Sequence, residues 1–155
     1  MTRPAPRRTT GRRPPRKPRR PRRVALIDAS NVAHATEGER ARLQNLFLVR
    51  DKLREEGMEP VLVADAALRH QIDDEPGLER LVESGELRQA PAGTDADYFI
   101  VRFADEMDAA IVTNDRFRDL SKAFPDARDR VIRYMIVNGE VVFERRNGRR
   151  KTGSR

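Results

Sequence analysis

The chain has 155 residues, enough for one ordinary domain. It contains no cysteine, which excludes disulfides, thiolate nucleophiles and cysteine-based zinc sites within it. Its formal charge of +7 hides a division: residues 1–23 hold 11 Arg+Lys and no acid, residues 145–155 hold six and no acid, and all 25 acids lie between them against 15 bases.

The first 23 residues have almost no apolar side chains and repel one another, so they are predicted to be disordered, as are residues 145–155. Basic arms of this kind attract polyanions, most often nucleic acid. Six prolines among the first 23 residues oppose the amphipathic helix of a transit peptide. No signal-peptide apolar region follows them, because VALI runs straight into Asp28. No apolar stretch approaches the roughly 20 residues that span a bilayer. These features lead us to expect cytoplasmic residence and no membrane partner.

The folded domain is expected over 24–144. Residues 24–27 form an apolar run of strand length, ended by Asp28-Ala29-Ser30-Asn31. Leu43, Leu46, Phe47 and Leu53 then repeat at helical spacing until Gly57. Residues 60–64 read as a buried strand, 77–84 as a short helix ended by Gly85, and 87–90 as a weaker strand. Ala96, Phe99, Ile100, Phe103, Ala104 and Met107 make the strongest helical stripe in the chain. Residues 109–112 read as a strand, and 116–123 as a short helix. The segments 131–137 and 140–144 flank Asn138-Gly139, a strong hairpin signal. Strand–helix alternation predicts an α/β domain whose mainly parallel sheet is covered on both faces.

In such sheets, sites form beyond the carboxyl ends of the strands. Asp28, Ser30 and Asn31 follow the first strand there, and Thr113-Asn114-Asp115 follows the fourth. Asp95 and Asp97 open the helix before that strand, and Asp119 lies four residues beyond Asp115. Each acid has an ordinary structural role open to it: Asp115 and Asp95 as helix caps, Asp97 as a first-turn acid, Asp28 and Asn31 in a turn, Asp119 as a solvated residue. Gathered on one rim they would repel by roughly 4 kcal/mol per pair at about 4 Å, which calls for a cation or for raised pKa values. Oxygen ligands without nearby His or Cys suit Mg²⁺ or Mn²⁺. Neither a GxGxxG nor a GxxxxGK[ST] motif is present, which disfavours a nucleotide-dependent Rossmann enzyme and any small-molecule cofactor. Carboxylates, a divalent metal and basic arms together suggest phosphodiester hydrolysis. Asn31 would orient water or a ligand, and Arg118 would steady a phosphate. His34 and His70 read as surface residues, and the Phe99/Phe103 stripe as core.

VALIDASNVAH, TDADYFIVRFADEMDAAIVTNDRFRDL and RYMIVNGEVVF, in that order, resemble the PIN/NYN-type ribonuclease domain of the Regnase kind. The resemblance spans most of 24–144. It implies a PIN-like (Rossmann-like) three-layer domain with a C-terminal β-hairpin. It also implies a metal-dependent endoribonuclease acting on single-stranded or loop RNA. Residue by residue it implies Asp28, Asp97, Asp115 and Asp119 as the acidic cluster holding Mg²⁺ or Mn²⁺, with Asn31 beside it. The family often pairs two acids at the start of the middle helix; here Ala96 precedes Asp97, and Asp95 is the nearest substitute. Regnase proteins also carry a zinc finger that helps hold RNA. In its place we expect the basic ends, Arg12, Arg13, Arg16, Lys17, Arg19 and Arg20 among them, to hold the RNA. Two other readings use the same residues: a non-catalytic RNA-binding or assembly module, and a DNA nuclease. A homodimer and a monomer are equally compatible with the sequence.

Overall fold

The computed structural model describes residues 2–4, 11, 22–36, 38 and 40–144. The disorder expected of the two basic ends falls almost entirely outside these residues. Five parallel strands form the sheet: β1 (Val24–Asp28), β2 (Glu59–Ala64), β3 (Leu87–Gln89), β4 (Ala110–Val112) and β5 (Val131–Ile132), in the order β3-β2-β1-β4-β5. The chain thus winds outward from β1 through β2 to β3, then returns to the other side of β1 for β4 and β5. The reversal lies between β1 and β4, where open α/β sheets present a crevice at their carboxyl ends.

Side chains alternate between two cores, as strand geometry requires. Ala25 and Ile27 of β1, Leu62 and Ala64 of β2, and Ala110 and Val112 of β4 face one core. Helices α1 (Ala29–Ala33), α2 (Leu43–Glu55), α3 (Leu68–Gln71) and α4 (Glu75–Ser84) cover that face. Leu26, Val63 and Ile111 face the other, under α5 (Ala96–Met107) and α6 (Ala127–Arg130). A hairpin of β6 (Tyr134–Val137) and β7 (Glu140–Phe143) packs Tyr134 and Val141 into the first core. Its Asn138-Gly139 turn has φ of 49° and 77°, the doubly positive pair that a two-residue hairpin loop demands. Gly85 ends α4 in the left-handed conformation at φ 84°.

Three expectations are corrected. The helix expected at 116–123 is only a 3₁₀ turn, Arg118–Leu120. Phe117 blocks it: at φ 46° its backbone is left-handed, and its ring is buried in the second core. The strand expected over 131–137 breaks at Arg133 into β5, which joins the parallel sheet, and β6, which joins the hairpin. The α5 stripe is rotated from the expected one. Ile100, Val101 and Ala104 are buried, Phe99 and Phe103 are half-buried, and Met107 is exposed. Helix α1 has no counterpart among the expected elements; its five residues are too few to show a period. Among the described residues, no helix is long and apolar enough to cross a membrane.

Candidate active site

Asp28 ends β1 and caps α1: its Oδ1 accepts from the Asn31 amide at 3.4 Å. It is buried, and its Oδ2 accepts from the Thr113 hydroxyl at 2.8 Å. That hydroxyl, fully buried just past β4, also accepts from the Asp115 amide at 3.1 Å. One threonine therefore ties the carboxylate ending β1 to the turn following β4. Asp115 Oδ1 accepts from the Phe117 amide at 3.1 Å. The left-handed Phe117, costing about 1–2 kcal/mol of backbone strain, plants its ring in the core and holds that turn over the crevice.

Helix α5 brings the third acid. Asp95 is its N-cap, accepting from the Asp97 amide at 3.0 Å, and Asp97 is its first-turn acid. One carboxylate oxygen each from Asp28, Asp97 and Asp115 lies within 4.8 Å of the others. Three residues distant in sequence thus meet at the carboxyl edge of the sheet, beside the strand-order reversal. Asp119 lies on the 3₁₀ turn, outside that group, and Asp95 caps α5 behind it.

The electrostatics show the cost of this arrangement. Burial raises the Asp97 pKa to about 7, reinforced by the charges of Asp28, Asp115 and Asp95. Asp28 is also raised, by burial first and by Asp115 and Asp65, while its Thr113 and Asn31 hydrogen bonds act the other way. A metal-free site therefore keeps a proton near neutrality that a cation would displace. Mg²⁺ or Mn²⁺ fits these donors: they are hard oxygens with no His or Cys among them.

Asn31 is a joint of the site. Its Oδ1 accepts from the Tyr134 hydroxyl at 2.7 Å and from the Asn114 amide at 3.0 Å. Asn114 in turn exchanges two hydrogen bonds with the Tyr134 backbone, at 3.0 and 3.1 Å. With both lone pairs so engaged, the Asn31 carbonyl binds the hairpin to the β4 turn, and its NH₂ group is what remains for the site. Burial, with the Asp28 charge, raises the Tyr134 pKa, so the phenol stays a donor. Asn45, buried in α2, anchors α1 from behind by donating to the Val32 and Ala33 carbonyls, each at 3.2 Å.

The sequence places Thr113 on the rim without a role for its hydroxyl, and shows neither Tyr134 nor Asp65 as part of the site. Asp65 follows the end of β2, where the carboxyl-edge rule could have found it. Nothing in the sequence connects Tyr134 to Asn31. Arg118 is exposed on the 3₁₀ turn beside Arg116. Arg12, Arg13, Arg16, Lys17, Arg19 and Arg20 lie outside the described residues.

Residues 21–154 match the Zc3h12a-like Ribonuclease NYN domain. The chain belongs to that family. This NYN domain also resembles two solved structures of the Arabidopsis thaliana nuclear proteinaceous RNase P 2. One is 21% identical with a TM-score of 0.64, covering 78% of this chain and 29% of the plant chain. The other is 23% identical with a TM-score of 0.62, covering 77% and 29%. At that identity the likeness shows a shared fold, and the NYN domain spans under a third of the plant protein's length. A search of curated proteins gives no match. Family membership and the carboxylate cluster together support a metal-dependent nuclease.

Proposed function

We propose that this NYN domain is an endoribonuclease that hydrolyses phosphodiester bonds of single-stranded or loop RNA and depends on Mg²⁺ or Mn²⁺. The observation that carries the reading is the convergence of Asp28, Asp97 and Asp115 from three elements onto one point of the carboxyl edge. A helix cap or a first-turn acid has no need of two other carboxylates within 4.8 Å. The three would hold the cation, which when bound would neutralise phosphate charge and lower the pKa of water.

The chain's own residues do the rest. Thr113 fixes Asp28 and Asp115 relative to each other. Asn31 holds the crevice walls together and presents its NH₂ group to an incoming water or phosphate. Asp95 and Asp119, outside the group itself, would act through ordered water. Arg118 would steady a phosphate at the rim, and the Arg-rich ends would add sequence-independent affinity that weakens as salt rises.

A circular single-stranded RNA tests the reading, since only internal cleavage can open it. Linearisation in Mn²⁺ or Mg²⁺, abolished by chelator and absent with the matching DNA circle, is the expected result. Opening of the DNA circle at the same rate would instead make the domain a nuclease indifferent to the sugar. No opening of either circle by a folded, metal-loaded protein would leave a binding module.

A further inference from the structure

Beside the carboxylate group lies a pair of adjoining hollows. The first, of about 250 Å³, opens at Asp115 and is walled by Arg116, Arg128 and Arg133. The second, of about 330 Å³, shares Arg116 and Arg128 with it, and its floor is Phe117, Phe124 and Pro125. So the hollow next to the acids is cationic and polar, and its neighbour combines an apolar floor with Ser121 and a rim of Arg116, Arg118 and Arg128. A nucleotide is divided in the same way, into an anionic phosphate and a flat base with apolar faces. A volume of about 330 Å³ is at the lower end of small-ligand sites, enough for one base with its sugar.

The floor is tied to the reaction centre. Phe124 is half-buried, and the Tyr98 ring meets it edge-on, with centroids 5.7 Å apart and planes at 66°. That contact fixes the Phe124 ring, whose remaining exposed surface lines the hollow. Tyr98 directly follows Asp97, so its ring contact links Phe124 in the floor to the helix that carries a carboxylate of the centre.

We propose that the second hollow is a nucleobase subsite. The base of an unpaired nucleotide next to the scissile phosphate stacks on Phe124, and Arg116, common to both hollows, meets its phosphate. This rests on the ribonuclease reading for the identity of the ligand and adds a reason for its strand preference. A base held in a duplex cannot enter the hollow, whereas an unpaired one can turn into it.

The test uses the full chain in EDTA, so that binding is measured without cleavage. Two fluorescein-labelled probes of about six nucleotides are compared by anisotropy. One is oligoadenylate, and the other an abasic ribose-phosphate of equal length. Wild type should bind the base-bearing probe about tenfold more tightly. Phe124→Leu, which keeps an apolar side chain in the floor, should reduce that ratio to about twofold. Arg116→Gln should weaken both probes alike and lower the salt slope by about one. A preference for bases that is the same in wild type and a folded Phe124→Leu would overturn the subsite, as would no preference in wild type. Cleavage of single-stranded RNA in Mn²⁺ is scored separately. Cutting without a base preference removes the subsite and leaves the ribonuclease. A Phe124-dependent preference without cutting leaves the subsite and removes the ribonuclease.

Discussion

Asp97→Asn should stabilise the metal-free protein while disabling it. In wild type, the folded state holds the Asp97 proton to about pH 7, against 3.8 for an ordinary aspartate. By linkage, a folded pKa raised in this way favours the protonated carboxyl. Stability therefore falls as pH rises from about 4 to 7, then levels off. The shift sets a ceiling of about 4 kcal/mol. Asp97 is partly open to solvent, and screening reduces the expected effect to about 1–2 kcal/mol. Asparagine keeps the shape and lacks the charge. In chelator at pH 8 its melting temperature should exceed that of wild type by about 3–10 °C, and the gap should close steadily towards pH 4. In Mn²⁺ the order should reverse, because wild type gains more stability from the ion. Loss of a direct ligand should weaken Mn²⁺ binding by more than about tenfold, at least the cost of losing an outer-shell partner. Differential scanning calorimetry across pH, with and without Mn²⁺, gives all of these readouts. A variant that melts at or below the wild-type temperature at every pH, and gains as much from Mn²⁺, would refute the idea that Asp97 sits among repelling carboxylates.

Other expectations follow from the same geometry. Wild-type Mn²⁺ affinity, measured calorimetrically, should rise about tenfold per pH unit below about pH 7 as the Asp97 proton is displaced, and flatten above it. Thr113→Val removes a buried hydroxyl that serves both Asp28 and the Asp115 amide. It should cost about 1–3 kcal/mol in urea unfolding and move the acid limb of the cleavage profile to higher pH, since Asp28 loses a hydrogen bond that lowers its pKa. Tyr134→Phe should cost about 1 kcal/mol by freeing the Asn31 carbonyl from its phenol donor. Removing residues 1–21 should reduce the slope of log affinity against log salt for single-stranded RNA, by about 0.7 for each phosphate that those residues neutralise; an unchanged slope would show that they do not touch RNA.

Much of the fold was legible because its elements carry their own signals. Helix α2 shows its period and ends before Gly57, α4 ends at Gly85, and Asn138-Gly139 announces the hairpin. What escaped was decided by tertiary contact. Phe117 has an ordinary helical propensity, and only burial of its ring holds it left-handed and prevents the 116–123 helix. The apolar run 131–137 contains no Gly or Pro to mark the break at Arg133. The carboxylate cluster was legible in the sequence, since Asp28, Asp97 and Asp115 all flank strands or open a helix. The contact between Thr113 and Asp28 spans 85 positions and that between Tyr134 and Asn31 spans 103, distances over which a single sequence shows no pairing. The ordinary roles of the acids and their clustering also coexist: Asp28 caps α1 and Asp97 sits in the first turn of α5 while both belong to one carboxylate group.

The most direct test is cleavage of end-labelled single-stranded RNA by wild type and by Asp115→Asn, in Mn²⁺ or Mg²⁺, with the fold of both verified by circular dichroism. Wild type should cut at internal positions, chelator should stop it, and the folded variant should not cut. Equal cutting by the variant would contradict the assignment of Asp115 to the metal, and a folded wild type that binds RNA without cutting in either metal would contradict the ribonuclease itself.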